Sequence, residues 1–312
     1  MRIVVTGGTG FIGGEVVRRL LESGAGDVVA TSRNPEARGR ARGGVQFAQA
    51  FAGDPVSLGK AFTRADVVVH AIQFPNHPVE DASRGRTYME VDGEGTRVAV
   101  RVAKALGVRR FVYVSGAGAG QGRPEPWFRA KDMAEAAIRE SGMEFAILRP
   151  SWVYGARDRS MNRFVAFCRY LPVIPVIGDG KTRVDPLFVE DAARCLAEAA
   201  SREDCRDKTF ELGGPERLSM DEIIRTIQSL LRGSRAWPLR LLEELIGQPL
   251  LHHPPKLMKL LSLPMQLLPE PMLSPGAIDF ILQEVEIDPR PAADYFGFPF
   301  RPLREGLRQY LP

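Results

Sequence analysis

Three glycines, Gly7, Gly10 and Gly13, recur every third residue in the stretch "VVTGGTGFIGGEVVRRLL". Glycines so spaced, between an apolar run and a helical pattern, let the chain turn tightly and bring its backbone against a bulky anion with no Cβ in the way. A helix follows, and the free N–H groups at its start carry partial positive charge. The chemistry is that of holding a dinucleotide pyrophosphate. A second signal ends the next apolar run, in "VVATSRNPEARGR". An acidic residue there would accept hydrogen bonds from an adenosine ribose, but this chain has Ser32 and Arg33, with Arg38, Arg40 and Arg42 beyond. A guanidinium beside the ribose pairs with a 2′-phosphate through charge-assisted hydrogen bonds, so NADP(H) is expected in preference to NAD(H). The alternative is a solvated basic loop, which applies with more force to the three later arginines.

Other reactive residue types give weaker signals. His70 stands at the end of the fourth apolar run and His77 in the loop after it, near the strand ends where open α/β sheets bind ligands. Each reads either as an acid or base or as a satisfied structural histidine. His252 and His253 are neighbours in a proline-rich stretch without Cys or a second His cluster, which is not ligand spacing, so no metal is expected. Cys168, Cys195 and Cys205 form no C-x-x-C pair, which argues against a disulfide framework and suits a reducing compartment.

The elements that must position these groups are legible from periodicity. Apolar runs from Ile3 to Thr6, Val28 to Thr31, Val45 to Ala48, Val67 to Ala71, Phe111 to Ser115 and Phe145 to Leu148 predict strands. Between them, apolar residues fall at helical spacing, as in Val16, Val17, Leu20 and Leu21, or Val98, Val102, Ala105 and Leu106. Gly24 and Gly107 stand where a left-handed helix end favours glycine. This alternation predicts an α/β fold, a doubly wound parallel sheet of Rossmann type over residues 1–150. From Ser151 the alternation breaks down and proline becomes frequent. A smaller, mainly helical lobe is expected over 151–312, with segments near 185–213, a helix and a strand, returning to the main sheet.

Within that lobe the stretch from Trp237 to Pro271 is dense in Leu and Pro, with Arg240, Lys256 and Lys259 among them. It does not read as a sheet element. Either its short helices fold inward as core, or they form an apolar lid that touches a membrane surface or a hydrophobic partner. The net charge of +4 is mild and the basic residues are scattered, which excludes a nucleic-acid footprint while suiting an anionic ligand. With no charged leader before an apolar segment and no uninterrupted apolar run of about 18 residues, a cytoplasmic location is expected, at most peripheral at a membrane.

The segments "TGGTGFIG", "DVVVHAI", "VDGEGTRVAV", "RRFVYVSGAG", "WFRAKDMAE", "FAILRPSWVYG" and "PLFVEDAARC" together resemble the short-chain dehydrogenase/reductase superfamily, in its extended and atypical branches, over nearly the whole chain. The runs "RAKDMAEAAIRESGMEFAILRPSWVYG" and "VIGDGKTRVDPLFVEDAAR" are similar to bacterial relatives of the NAD(P)H-binding subunit of respiratory complex I. The resemblance implies a nicotinamide cofactor held by Gly7, Gly10, Phe11, Ile12 and Gly13, by Ser32 and Arg33, and by Ala71 and Ile72. It further implies contacts from Ser115, Lys131, Pro150 and Ser151 toward the nicotinamide end.

In active members a Tyr precedes a Lys by one helical turn, and a Ser or Thr stands on the loop after strand five. The matching pair here is Trp127 and Lys131, and the hydroxyl positions are Gly116 and Ala117. Indole has no phenolic proton, so the usual proton donor is missing, whereas Lys131 is retained as a ribose contact. Tyr88, Tyr113 and Tyr154 are substitutes if the fold brings one to the nicotinamide. Phe51 occupies the place of an adenine-contacting acid, with Asp54 three residues on, and reads as core or as a stacking ring. Arg149 reads as an ion-pair partner, and Glu190 and Asp191 as first-turn helix acids. Three functions stay open: an NADP(H)-dependent oxidoreductase on an apolar, quinone- or isoprenoid-like substrate; a non-catalytic NADPH-binding structural or redox-sensing protein; and a sugar-nucleotide epimerase or dehydratase, which needs the missing Ser and Tyr most directly.

Overall fold

Seven parallel strands build the main sheet, in a computed structural model that describes residues 1–35, 44–233, 247–268, 271 and 273–311. They begin with β1 (Arg2–Thr6), β2 (Asp27–Ser32), β3 (Val45–Gln49), β4 (Val67–His70), β5 (Arg110–Val114) and β6 (Glu144–Pro150). Four short strands follow, β7 (Val153–Tyr154), β8 (Ile174–Ile177), β9 (Arg183–Val184) and β10 (Leu187–Phe188), before β11 (Lys208–Leu212) completes the sheet. The order is β11-β6-β5-β4-β1-β2-β3, so the winding reverses between β1 and β4. In such sheets a crevice opens at the carboxyl ends of the strands where the order reverses.

Continuous Val and Ile runs form these strands because both faces are covered. Ile3 and Val5 face a core shared with α1 (Phe11–Glu22), while Val4 between them faces the opposite core. That second core is roofed by α2 (Pro55–Phe62), α3 (Gly95–Ala105) and α4 (Pro126–Arg139). Gly24 and Gly107 lie just past α1 and α3 at φ +65° and +73°, the left-handed conformation that ends these helices.

Beyond β6 the chain adds α5 (Ser160–Tyr170), α6 (Val189–Ser201), β12 (Leu218–Ser219), α7 (Met220–Leu231) and β13 (Leu250–His253). Helix α6 lies on the α1 face of the sheet, with Ala192, Ala193, Cys195 and Leu196 in that core. A third core gathers Tyr154, Met161, Ile174, Ile223, Ile227 and Leu303.

The Leu- and Pro-rich stretch differs from its sequence reading in two ways. It contains a sheet element after all, since β13 pairs in parallel with β8, from Leu250 opposite Ile174 to His253 opposite Ile177. Pro249 and Pro254 bracket this strand rather than interrupt it, and a proline at the end of a short edge strand removes no ladder bond. The inward-folding expectation also fails for the helix Pro255–Ser262, whose Leu257, Leu260 and Leu261 are 45%, 63% and 54% exposed. Residues Trp237 to Ile246, Pro269, and the arginines Arg38, Arg40 and Arg42 lie outside the described residues. Among the described residues no helix is long and apolar enough to cross a membrane.

Candidate functional site

The glycine turn joins β1 to α1 at the reversal of strand order, and each glycine there answers a different constraint. Gly7 has φ +65°, and a Cβ on it would stand 2.5 Å from the Ala71 carbonyl oxygen. Ala71 and Ile72 after β4 are thereby brought against the turn. A Cβ on Gly13 would run into the Gly7 carbonyl oxygen, so α1 seats on the turn only without one. The Gly10 N–H donates to Gly7 O at 2.8 Å and closes the loop. Phe11 and Ile12 form the first turn of α1. The Arg157 guanidinium, from the segment after β7, donates to the carbonyls of Thr9 (3.2 Å) and Gly10. Sequence reading missed this cation, although "VYGARDR" puts it just after a motif quoted for the resemblance.

At the carboxyl end of β2, Ser32 Oγ accepts from the Asn34 N–H at 3.2 Å, and the Arg33 side chain is exposed beside the crevice. Phe51 is 40% exposed, which overturns its reading as core. Its backbone is held by Ser57 Oγ at 3.1 Å, and Asp54 caps α2 by accepting from Val56 and Ser57 N–H, so the ring is left facing outward at the carboxyl end of β3.

Trp127 and Lys131 both lie on α4, one turn apart. The Lys131 ammonium, only 3% exposed, donates to Asp92 Oδ1 at 2.9 Å and to the Tyr113 hydroxyl at 3.4 Å. Burial disfavours its charge, but the Asp92 carboxylate and the Tyr113 phenol more than offset this and hold its pKa above the usual lysine value. Asp92 comes from a π-helical turn, Tyr88–Glu94, that packs on α4. It sits in the quoted motif "VDGEG", where an acid ahead of a helix drew no attention.

Ser115 directly follows β5 and donates its hydroxyl to Glu135 Oε1 at 2.6 Å. Glu135 also accepts from Arg149 at 2.9 and 2.6 Å, and Arg149 reaches Glu211 at 2.8 Å. The Ser115 hydroxyl is thus committed to a carboxylate network, and Arg149 is an ion-pair partner. Pro150 O accepts from the Ala117 N–H at 2.9 Å, and Ser151 N–H donates to Leu212 O at 2.8 Å, which fixes this pair between the ends of β5 and β11.

The two departures from the catalytic pattern prove to be one. A Cβ on Gly116 would run into the Trp127 indole, so the ring fills the space that a hydroxyl-bearing side chain would need. Gly116→Ser should therefore cost about 1–3 kcal/mol of stability in the wild type and clearly less in a Trp127→Ala background. Denaturant unfolding of the four chains of this cycle checks the coupling; strictly additive costs would show that the two positions do not compete.

The remaining candidates separate cleanly. His70 is buried between Thr6 Oγ1 (2.8 Å from Nδ1) and Thr96 Oγ1 (3.2 Å from Nε2), a structural pin from β1 to α3. Burial first, and the Lys131 charge second, push its pKa down to about 3, so it is neutral. Tyr154 donates to Leu303 O at 3.3 Å in the third core and plays no part at the crevice. Tyr113 touches Lys131 but is sealed from solvent. Tyr88, also buried, packs with Phe74, His77 and Phe280 at centroid distances of 5.0, 5.6 and 6.2 Å. Trp127 joins the same group through Phe280 at 5.5 Å.

A model of the NAD dependent epimerase/dehydratase family matches residues 3–213. The chain belongs to that family. Like other members of this atypical short-chain dehydrogenase/reductase grouping, it carries the glycine turn on a Rossmann sheet. It is 29% identical over 246 residues to the mitochondrial NADH dehydrogenase [ubiquinone] 1 alpha subcomplex subunit 9 of Arabidopsis thaliana, covering 75% of this chain and 58% of the relative. It is likewise 29% identical over 197 residues to the ceramide reductase of Caulobacter vibrioides, covering 62% of this chain and 59% of the relative. The family member described here thus spans somewhat under two thirds of the length of these relatives. Its fold is shared by the NADPH-dependent quinone oxidoreductase QOR2 of Escherichia coli, solved with NADPH, at TM-score 0.69 and 21% identity over 98% of this chain and 99% of the other. The UDP-glucose 4-epimerase of Thermotoga maritima, solved with UDP-glucose, superposes at TM-score 0.71 with 20% identity over 99% and 98% of the two chains.

Proposed function

We propose that this family member binds NADP(H) across the carboxyl ends of β1, β2 and β4 and reduces an apolar carbonyl compound at the nicotinamide end. One observation carries the reading most directly. The cluster formed by Phe74, His77, Tyr88, Trp127 and Phe280, which includes the residue at the usual catalytic Tyr position, is aromatic, and such a lining suits an apolar substrate better than a sugar diphosphate. The exposed Arg33 supports the 2′-phosphate, and the ring of Phe51 offers adenine a stacking face. Lys131 is oriented away from solvent by Asp92, so its contact with the nicotinamide ribose is a proposal that rests on its place in α4. Similarity to a protein named ceramide reductase, and to a 2-alkyl-3-oxoalkanoate reductase of Stenotrophomonas maltophilia, supports reduction over epimerisation.

A nicotinamide held there would supply the hydride, with the proton coming from solvent; the chain's part would be to hold the dinucleotide on the glycine turn and to orient the acceptor carbonyl against the aromatic cluster. Arg33→Ala should weaken NADPH about tenfold and leave NADH nearly unchanged, the worth of one charge-assisted contact. Calorimetric titration of both nucleotides checks this, and equal wild-type affinity for NADPH and NADH would overturn the preference. NADPH oxidation with enones and quinones then tests turnover. The absence of a phenol at position 127 favours one other reading, a protein that binds NADPH without consuming it, and a wild type that binds NADPH tightly yet oxidises it with no acceptor would establish that reading instead.

The exposed stripe of Leu257, Leu260 and Leu261 beside Lys256 and Lys259 supports a peripheral contact with an anionic membrane surface. Co-flotation with anionic liposomes at low salt should be lost when the three leucines become serine. A wild type that stays out of the lipid fraction would refute the contact.

A further inference from the structure

An apolar ring lies among polar groups that have no partner. The Tyr88 hydroxyl, His77 Nδ1 and Trp127 Nε1 are each shut off from solvent and hydrogen-bonded to nothing, and Tyr88 is only 5% exposed. All three rings surround that of Phe280, at centroid distances of 6.2 Å for Tyr88, 4.9 Å for His77 and 5.5 Å for Trp127. Buried donors and acceptors in folded proteins nearly always find partners, so three around one benzene ring call for an explanation.

We infer that Phe280 occupies a slot for a planar conjugated dicarbonyl ring of the quinone class, whose oxygens take hydrogen bonds from Tyr88 and Trp127 when it displaces the phenyl group. The inference rests on the carbonyl-reductase reading and names its substrate class. A flat ring of that kind stacks on Tyr88 and meets the edges of His77 and Trp127 as Phe280 does now, and adds the acceptors that Phe280 lacks. The Trp127 indole is a donor only, and the Tyr88 phenol is kept protonated by its burial and by Glu80 and Asp92 nearby, so both offer a proton to an oxygen. His77 Nδ1 accepts or donates according to its tautomer. A saturated ketone of equal size would supply one oxygen but not the flat shape.

Phe280 reaches the slot from the helix Pro275–Ile281, which is capped by Ser274 and anchored by the buried Ala277 and Ile278. Removing the ring therefore leaves its carrier seated. The test uses the full chain with ¹⁵N-labelled indoles, the probe 2-methyl-1,4-naphthoquinone, and a saturated bicyclic ketone as control. The Trp127 resonance, identified by its loss in Trp127→Phe, should move with the quinone and not with the control. Phe280→Ala, or Phe280→Leu if the smaller residue impairs folding, should bind the quinone at least about tenfold more tightly, because the competing ring no longer lowers the fraction of open sites. Tyr88→Phe should weaken it. A Trp127 resonance that the quinone leaves unmoved in wild type and Phe280 variants alike, or that the saturated ketone moves equally, would overturn the slot. If the quinone binds there and NADPH is never oxidised, the slot stands and the reductase reading falls.

Discussion

Lys131→Met should destabilise the protein by about 3–5 kcal/mol, the usual cost of leaving one member of a buried ion pair without its partner. Asp92 is wholly buried and its Oδ1 is held by the Lys131 ammonium, while its Oδ2 has no partner at all. With the lysine gone, nothing nearby compensates the carboxylate. The double variant Lys131→Met with Asp92→Leu removes both charges and should recover most of the loss. Urea unfolding of the three chains measures this directly, and a Lys131→Met protein as stable as the wild type would show that the pair carries no such burden. The stable double variant then separates two roles that the single one confounds. If Lys131 also contacts the nicotinamide ribose, NADPH affinity falls in the double variant although the fold is restored.

Gly13→Val should abolish NADPH binding, a loss of at least about a hundredfold, or roughly 2.7 kcal/mol. The new Cβ would meet the Gly7 carbonyl oxygen, and α1 must move off the turn whose N–H groups would hold the pyrophosphate in the proposed site. Gly24→Ala is the matched control. It lies at φ +65° with no atom within 4 Å of a Cβ, so it should cost about 1 kcal/mol of backbone strain and leave binding untouched. Nucleotide fluorescence titration of both variants tests the contrast, and an unchanged affinity in folded Gly13→Val would mean that the nucleotide is held elsewhere.

The sheet and the glycine turn were legible in the sequence because backbone constraints leave local marks. A strand covered on both faces must be a continuous apolar run, and a residue at positive φ against a neighbouring carbonyl must be glycine. Side-chain partnerships across long separations leave no such mark. Lys131 and Asp92 are 39 residues apart, and nothing local distinguishes an acid that neutralises a buried lysine from one that starts a helix. Phe280 reaches the aromatic cluster from far along the chain, so the slot could not be seen in any one segment. Phe51 was misjudged because an aromatic after a strand is usually core, whereas here the capping of α2 by Asp54 turns it outward. β13 was missed because its leucines and flanking prolines are poor strand markers, and its partner β8 lies far earlier in the chain, 76 residues before it at every rung from Ile174 with Leu250 to Ile177 with His253.

Arg157 ties the chain beyond β7 to the carbonyl side of the glycine turn, and this makes two equilibria one. A pyrophosphate seated on the N–H side brings negative charge to a turn that a guanidinium already grips, so each favours the other. By reciprocity, whatever the nucleotide gains from a well-seated Arg157 segment, that segment gains in equal measure from the nucleotide. A nucleotide bound there would act as a fastener between the glycine turn and the segment after β7, and its release would loosen that joint as well as empty the site.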